Sequence, residues 1–170
     1  MEFQIREIET GHDIMEVNRL AGIVWRETYR TLLTREQIAY MIEKYQSVRA
    51  LTEQLAFGGY RYFLLEEAAE AVGYCGVQMQ EGKLFLSKMY LMARAQGKGY
   101  FRQMLERLEQ LCRENGATAI WLTVNRYNDR AIGAYRHMGF REIRTQAVDI
   151  GNGYVMDDYV LERPVAVSSA

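Results

Sequence analysis

The spacing of hydrophobic and polar residues divides the chain into short alternating segments, typical of strands, and longer segments with a helical repeat. The pair Glu81-Gly82 separates two of the strand segments and predicts a tight hairpin turn between them. The last two strand segments form a second predicted hairpin across residues 149–153. Seven segments have the strand pattern: residues 1–8, 60–65, 71–79, 83–91, 119–125, 140–148 and 154–161.

Helical repeats fill the intervals between these strands. Thr34 followed by Gln37 predicts a capping box, and Ser47 predicts the cap of a shorter helix that stops at Gly58-Gly59. In the fourth helix the repeat makes Phe101 the first core-facing residue. The helical segments are residues 13–29, 34–45, 47–58, 101–112 and 128–138.

Composition favours one well-buried domain. The chain has 170 residues, of which 49% are hydrophobic, and no Pro/Gly/Ser-rich linker, so we expect a single domain over residues 1–164 and a flexible tail over 165–170. A net charge of −1 without blocks of like charge argues against nucleic-acid binding. No apolar run approaches the ~20 residues that a membrane helix needs. With no signal-peptide layout, and with Cys75 and Cys112 expected as buried free thiols, we expect a cytoplasmic protein.

A glycine-rich turn follows one of the predicted strands. Gln96-Gly97-Lys98-Gly99 stands between an apolar run and a helical repeat, which gives the order strand, glycine turn, helix. The unpaired N–H groups of residues 97–101 and the helix dipole then favour a bound anion, and glycine lets a phosphate approach the backbone. Tyr100 after the last glycine excludes a nucleotide P-loop, and the lack of a third glycine at Arg102 or Gln103 excludes the dinucleotide fingerprint.

This turn resembles the signature Gln/Arg-x-x-Gly-x-Gly/Ala of the Gcn5-related N-acetyltransferase (GNAT) superfamily, which binds the pyrophosphate of acetyl-coenzyme A. Two registers fit. The register over residues 96–101 has the usual distance from the strand but places Phe101 where the family has Gly or Ala. The register over residues 94–99 satisfies every letter but starts close to the strand. We prefer the first, because a core-facing Phe101 has a packing reason.

A second and longer segment strengthens the resemblance. Residues 128–140 match the family pattern Asn-x-x-Ala-x-x-x-Tyr-x-x-x-Gly-Phe, and the resemblance extends over about residues 83–162. It implies the GNAT fold: an α/β (α+β) domain with a mixed, mostly antiparallel sheet of about seven strands flanked by helices. Two of the strands are splayed in the family to admit acetyl-coenzyme A. Residues 25–47 also resemble the bacterial branch of polyamine and protein-amine acetyltransferases.

The implied activity is acetyl transfer from acetyl-coenzyme A to a primary amine of a small molecule, polyamine or protein, directly in a ternary complex. By resemblance, Tyr135 is the catalytic acid that protonates the departing thiolate, since a phenol is protonated at neutral pH. A backbone N–H near Leu91 would stabilise the thioester oxygen as charge builds there. The residues implied in cofactor binding are Met89, Leu91, Gln96, Gly97, Lys98, Gly99, Tyr100, Phe101, Asn128 and Tyr135.

The general base stays open. Many family members carry a glutamate on the cofactor strand, where this chain has Ser87 and Lys88. Ordered water leading to Glu27, Tyr29 or Tyr90 is the alternative. An aromatic and acidic acceptor groove would suit a cationic amine. Its candidate residues are Trp25, Glu27, Tyr29, Tyr60, Tyr90, Tyr154 and Asp157.

The absence of certain sequence features excludes some partners and leaves one alternative function open. No His, Cys or carboxylate cluster has metal-ligand spacing, so no metal is expected. Neither nucleic acid nor membrane is an expected partner, and the resemblance allows a homodimer. A non-catalytic module that senses acetyl-coenzyme A is the alternative function, because Tyr135 favours an enzyme whereas the missing strand glutamate favours a sensor.

Overall fold

The computed structural model describes residues 2–166 and contains one seven-stranded sheet in the order β1-β2-β3-β4-β5-β7-β6. The pairs β1–β2, β2–β3, β5–β7 and β6–β7 are antiparallel, whereas β4 and β5 are parallel. This confirms the mixed, mostly antiparallel sheet flanked by helices. The strands are β1 (Phe3–Glu7), β2 (Tyr60–Glu67), β3 (Glu70–Gln80), β4 (Lys83–Leu91), β5 (Ala119–Asn125), β6 (Arg141–Gly151) and β7 (Tyr154–Pro164).

Most of the helices begin next to a short polar side chain that caps them. The Thr34 hydroxyl accepts from the Gln37 N–H, which is one of the two hydrogen bonds of the predicted capping box. The Ser47 hydroxyl accepts from the Ala50 N–H and caps the next helix, as the sequence predicts. The first helix begins two residues earlier than predicted, because Thr10 and Asp13 form a reciprocal capping box. The helices are α1 (Gly11–Tyr29), α2 (Arg35–Gln46), α3 (Val48–Phe57), α4 (Tyr100–Asn115) and α5 (Asp129–His137), with a short 3₁₀ turn over Ala93–Ala95.

The chain divides into two compact units, and the first comprises Met1–Gln78 and Ser87–Met104. Inside it, a chain of buried polar groups connects helices to strands. The Trp25 indole N–H donates to the Tyr74 hydroxyl (2.8 Å), which donates to the Gln46 side chain (2.5 Å). Gly73 on β3 allows close packing, because a Cβ there would collide with the Tyr90 carbonyl oxygen.

The second unit comprises Met79–Leu86 and Leu105–Ala170. Here β4 and β5 pair at Leu84–Ile120 and Phe85–Trp121, and the rings of the second pair stack with centroids 4.3 Å apart. The β6–β7 turn is shorter than predicted. Gly151 already pairs with Tyr154, which leaves Asn152-Gly153 as a two-residue turn with positive φ at both positions.

Of the tail predicted over residues 165–170, the structure describes only residues 165 and 166. Val165 is buried, and its N–H donates to the Thr118 carbonyl (2.9 Å), so ordered structure continues past the last residue of β7. Residues 167–170 lie outside the described residues. Cys75 and Cys112 are free and buried, as predicted. Within residues 2–166, no helix has the length and apolar character needed to span a bilayer, and no metal-holding group of three His, Cys, Asp or Glu side chains occurs.

Candidate active site

The glycine turn has the backbone that a phosphate site needs. Gly97 and Gly99 have φ of +76° and +82°, the left-handed region that favours glycine. A Cβ at either position would meet no atom within 4 Å, so the surface of the turn is open. The Gln103 N–H donates to the Gly99 carbonyl, so Gly99 is the residue that precedes α4. The first N–H groups of α4 have no partner within the helix and are available to an anion.

A buried carboxylate holds this turn in place. Glu67, at the end of β2, is 4% exposed and accepts hydrogen bonds from the Tyr100 hydroxyl and from Lys98 Nζ, the latter at 3.0 Å. A guanidinium nitrogen of Arg94 lies 3.8 Å from the same carboxylate. The hydrogen bond from Tyr100, and then that from Lys98, hold the pKa of Glu67 below its usual range. An ionised Glu67 therefore ties both sides of the glycine turn to β2.

The structure corrects the prediction for Phe101. Tyr100, not Phe101, is the first core residue of α4: it is buried and lies one turn before the buried Met104, whereas Phe101 is half-buried. The Tyr100 ring stacks on Phe3 with centroids 3.9 Å apart. Its side chain is thus used inside the protein, and only its backbone N–H can serve a ligand. Core packing of Phe101 no longer explains the departure from the family letter.

The end of β4 is tied to the turn by backbone and side chain. The Met92 N–H donates to the Val72 carbonyl at 2.8 Å, which pairs the chain just beyond β4 with β3. The Gln96 side-chain amide donates to the Leu91 carbonyl at 3.3 Å. Gln96 therefore fixes the chain between Leu91 and the first glycine. Met89 and Leu91 are half-buried on β4, and their contact with a cofactor stays a prediction.

The predicted acceptor residues of α1 and β4 form an aromatic cluster. The Tyr29 and Tyr90 hydroxyl oxygens are 3.1 Å apart, and the Trp25 ring lies 5.5 Å from that of Tyr90. Trp25 is only 3% exposed and its indole is engaged with Tyr74, so it supports the cluster from behind and offers almost no surface to a ligand. Glu27 is exposed on α1.

Tyr60, a predicted acceptor residue, and Lys88, at the place of the missing strand glutamate, have different surroundings. Tyr60 on β2 is half-buried and stacks on Tyr62. Lys88 on β4 is half-buried, and its Nζ lies 2.6 Å from the Ser87 hydroxyl. Burial lowers the pKa of Lys88 to about 8. A lysine with this pKa has a substantial neutral fraction near pH 8, which the residue type alone does not indicate.

In the second unit, the spacing of Tyr135, Gly139 and Phe140 has a packing basis. Gly139, with φ +91°, reverses the chain after α5, so that the Phe140 N–H bonds to the Tyr135 carbonyl at 3.0 Å. The Phe140 ring, fully buried, meets the half-buried Tyr135 ring edge to face at 5.5 Å. Asn128 caps α5 through its side-chain oxygen, which accepts from the Ala131 N–H. These contacts fix the start of α5 and the ring of Tyr135.

Strand β7 contains Asp158, a carboxylate that the sequence analysis did not single out. Of the two predicted candidates on this strand, Asp157 pairs with Arg126 at 3.1 Å, and Tyr154 is half-buried. The next residue, Asp158, is 6% exposed, and one of its carboxylate oxygens has no hydrogen-bond partner in the described part of the chain. Burial, and secondarily the charge of Asp157, raise the pKa of Asp158 to about 6. The alternation of residues along β7 could have indicated this burial, because Asp158 and Val160 lie on the same face of the strand and both are buried.

Comparison with known proteins places these features in a family. The Acetyltransferase (GNAT) family matches residues 22–140. An uncharacterized N-acetyltransferase in the pepI 3′ region of Lactobacillus delbrueckii subsp. lactis is 21% identical over 159 residues, 89% of this chain and 91% of its own.

Solved structures show the same fold. The PaiA N-acetyltransferase of Thermoplasma acidophilum, in complex with coenzyme A, is similar with a TM-score of 0.81 and 19% identity, over 96% of this chain and 99% of its own. The ribosomal-protein-S18-alanine N-acetyltransferase of Escherichia coli has a TM-score of 0.72 and 17% identity, over 99% and 97%. The family match spans most of the chain, and the glycine turn fits a pyrophosphate. The protein therefore belongs to the GNAT family and is an N-acetyltransferase that uses acetyl-coenzyme A.

Proposed function

We propose that this enzyme transfers the acetyl group directly to a primary amine while both substrates are bound. The observation that carries the proposal is the open glycine turn, in which Gly97 and Gly99 adopt left-handed backbone before α4. Acetyl-coenzyme A supplies an activated acetyl group and a thiolate leaving group when bound. The residues that would hold its pyrophosphate are the backbone N–H groups of residues 97–101, with Lys98 adding positive charge.

Direct transfer is supported by the state of the two thiols. An acyl-enzyme route needs a nucleophile, and a thiolate is the reactive form of cysteine. Cys75 and Cys112 are buried, and burial raises the pKa of both, that of Cys112 to about 11. Neither thiol is ionised and accessible, as a nucleophile must be. This favours direct attack of the acceptor amine on the acetyl carbon of the thioester.

The remaining tasks fall to named groups of the chain. A backbone N–H near Leu91 stabilises the charge that builds on the carbonyl oxygen. Tyr135 donates its phenolic proton to the departing sulfur, the role implied by the family pattern. The half-buried state of Tyr135 supports this role, because the ring is fixed by Phe140 while part of the residue stays exposed.

The acceptor we propose is a cationic primary amine, as in a polyamine, a small-molecule amine or a peptide amine. Tyr29 and Tyr90 present paired hydroxyl groups in an aromatic cluster, and Glu27 adds an exposed carboxylate on the same helix as Tyr29. Aromatic faces and carboxylates both attract ammonium groups. Tyr154, on β7, is the further candidate for acceptor binding. A cytoplasmic location and a homodimer belong to the same proposal.

A thermal shift followed by a thiol-release assay tests the function. We expect coenzyme A to raise the Tm, and acetyl-coenzyme A to release thiol with at least one member of a panel. The panel contains spermidine, small aliphatic amines, a peptide with a free N-terminus and an N-blocked peptide with one lysine. If coenzyme A raises the Tm but no amine of the panel causes thiol release, the result would contradict direct transfer and support a sensor.

A further inference from the structure

Lys88 occupies a distinctive position on β4. It lies two residues before Tyr90, so the two residues share one face of the strand. That face contains the cluster of Tyr90, Tyr29 and Trp25, the surface proposed for the acceptor amine. Lys88 is also three residues before Leu91, at the strand end where the acetyl oxygen is expected.

Among the described residues, the one polar side-chain contact of Lys88 is with its neighbour in sequence, Ser87. Its Nζ lies 2.6 Å from the Ser87 hydroxyl, and no carboxylate in the described residues forms an ion pair with it. Burial is the cause that lowers its pKa to about 8, and no charged side chain contributes. The titratable groups of the neighbouring cluster are the phenols of Tyr90, Tyr29 and Tyr74. An unpaired ammonium in such surroundings loses its proton more readily than one in water.

We propose that Lys88, as a neutral amine, is the general base that deprotonates the acceptor ammonium. The inference deepens the proposed function and rests on it. Lys88 combines a position on the acceptor face, a half-buried side chain and no acidic partner. Ser87, which lies within hydrogen-bond distance, orients Nζ. The other open candidates are less suited, because Glu27 is exposed and the Tyr29 and Tyr90 hydroxyls are paired with each other.

The proton balance is complete with groups already named. The acceptor ammonium gives one proton to the Lys88 amine, which becomes an ammonium. The freed amine lone pair forms a bond to the acetyl carbon as the carbon–sulfur bond breaks, and Tyr135 supplies a proton to the sulfur. The second proton of the attacking nitrogen passes to the Tyr135 phenolate through solvent, and Lys88 returns its proton to water. No oxidant, reductant or metal takes part.

A direct titration tests the amine without any substrate. The chain has four lysines, so lysine labelled at Cε with ¹³C gives a spectrum of four signals, and Lys88→Arg identifies that of Lys88. We expect the Lys88 signal to titrate near pH 8. A Lys88 midpoint above about pH 10 would overturn the proposal, whatever the acceptor amine is.

Kinetics of two variants then separate a base from a structural lysine. Arginine keeps the charge but does not deprotonate, so Lys88→Arg should lower kcat by roughly 10²-fold or more while leaving the Kd of coenzyme A nearly unchanged. Lys88→Ala should show the same loss and recover part of its rate with added trimethylamine, which accepts a proton but forms no stable amide. Lys44→Gln is the matched control and should keep the wild-type rate.

The pH profile gives the final discrimination. In the wild type, kcat/KM should rise through a pKa near 8 in addition to the limb of the acceptor amine. Lys88→Arg should lack the limb near 8. A Lys88→Arg enzyme with the wild-type profile and a rate within about threefold of wild type would overturn the inference. Thiol release by the wild type in the same assay shows that the proposed function itself has not failed.

Discussion

The Tyr100 hydroxyl donates a hydrogen bond to the buried Glu67 carboxylate, and this contact joins the first residue of α4 to the last residue of β2. Lys98, on the glycine turn, donates to the same carboxylate. The turn that we propose to bind phosphate is thereby held by Glu67, which is not one of the proposed phosphate-binding residues. The shape of the cradle depends on a residue 31 positions earlier in the chain than Lys98.

Glu67→Gln should therefore destabilise the protein in a pH-dependent way. The pKa of Glu67 is lowered in the folded state, so its ionised form contributes stability above its unfolded pKa, and this contribution is lost as the pH falls through the folded pKa. Thermal denaturation should give a lower Tm for the variant at pH 7 and converging Tm values in acid. Glu70→Gln, which alters an exposed partner of Arg94, is the control. Equal Tm values at pH 7 would contradict the account.

Gly99→Ala should weaken coenzyme A binding. Alanine at φ +82° costs roughly 1–2 kcal/mol, so the turn should relax away from the geometry that presents its N–H groups. Isothermal titration should show a Kd increased by about tenfold or more. Gly82→Ala is a matched control, because Gly82 has φ +81° and equally open space but lies in the β3–β4 hairpin. Comparable Kd values for the two variants would remove the glycine turn from the binding site.

Tyr135→Phe should affect turnover and spare binding. The substitution keeps the ring and its contact with Phe140, and removes only the hydroxyl that would protonate the thiolate. We expect kcat to fall by roughly 10²–10⁴-fold with the coenzyme A Kd nearly intact. Steady-state rates on the best amine of the panel measure this, with Tyr127→Phe as a control at an exposed tyrosine. A kcat within about twofold of wild type would mean that water or the acceptor ammonium supplies the proton.

Asp158→Asn should stabilise the fold at neutral pH. The folded-state pKa of about 6 lies above the ordinary value of 3.8, so the folded protein binds the proton more tightly and loses stability as the pH rises between these values. Removing the charge should gain about 1–2 kcal/mol at pH 7–8, after discounting for solvent screening, and nothing below about pH 4. Urea denaturation at pH 4 and pH 7.5 measures the difference. A lower stability of Asp158→Asn than of the wild type at pH 7.5 would contradict the account.

The sequence predicted those features that depend on near neighbours. The hydroxyls of Thr34 and Ser47 cap helices by accepting from backbone N–H groups three residues later in the chain. The Gly139-Phe140 pair follows the end of α5, as the sequence pattern indicates. Glu67 was missed because its partners are distant in sequence and a glutamate at the end of a strand is ordinarily exposed. The error at Phe101 has a similar cause, since a helical repeat fits either of two adjacent aromatic residues until the packing of Tyr100 on Phe3 decides between them.

The shifted pKa values of side chains could not be predicted from the sequence either. Lys88 and Asp158 are ordinary residue types, and burial is the largest cause of the change in their pKa values. The acceptor residues were predicted as a set, and the structure divides the set: Tyr29 and Tyr90 are in contact, whereas Trp25 lies behind them. Their roles in substrate binding remain predictions.

The most direct test of the account is the fate of the acetyl group when the protein is mixed with acetyl-coenzyme A, with and without the best amine of the panel. Intact-mass measurement of protein and acceptor follows both at once. The account predicts one acetyl group added to the amine at the rate of thiol release, and no acetylated protein that forms without amine and discharges when amine is added. An acetylated protein that passes its acetyl group to the amine at the turnover rate would contradict direct transfer.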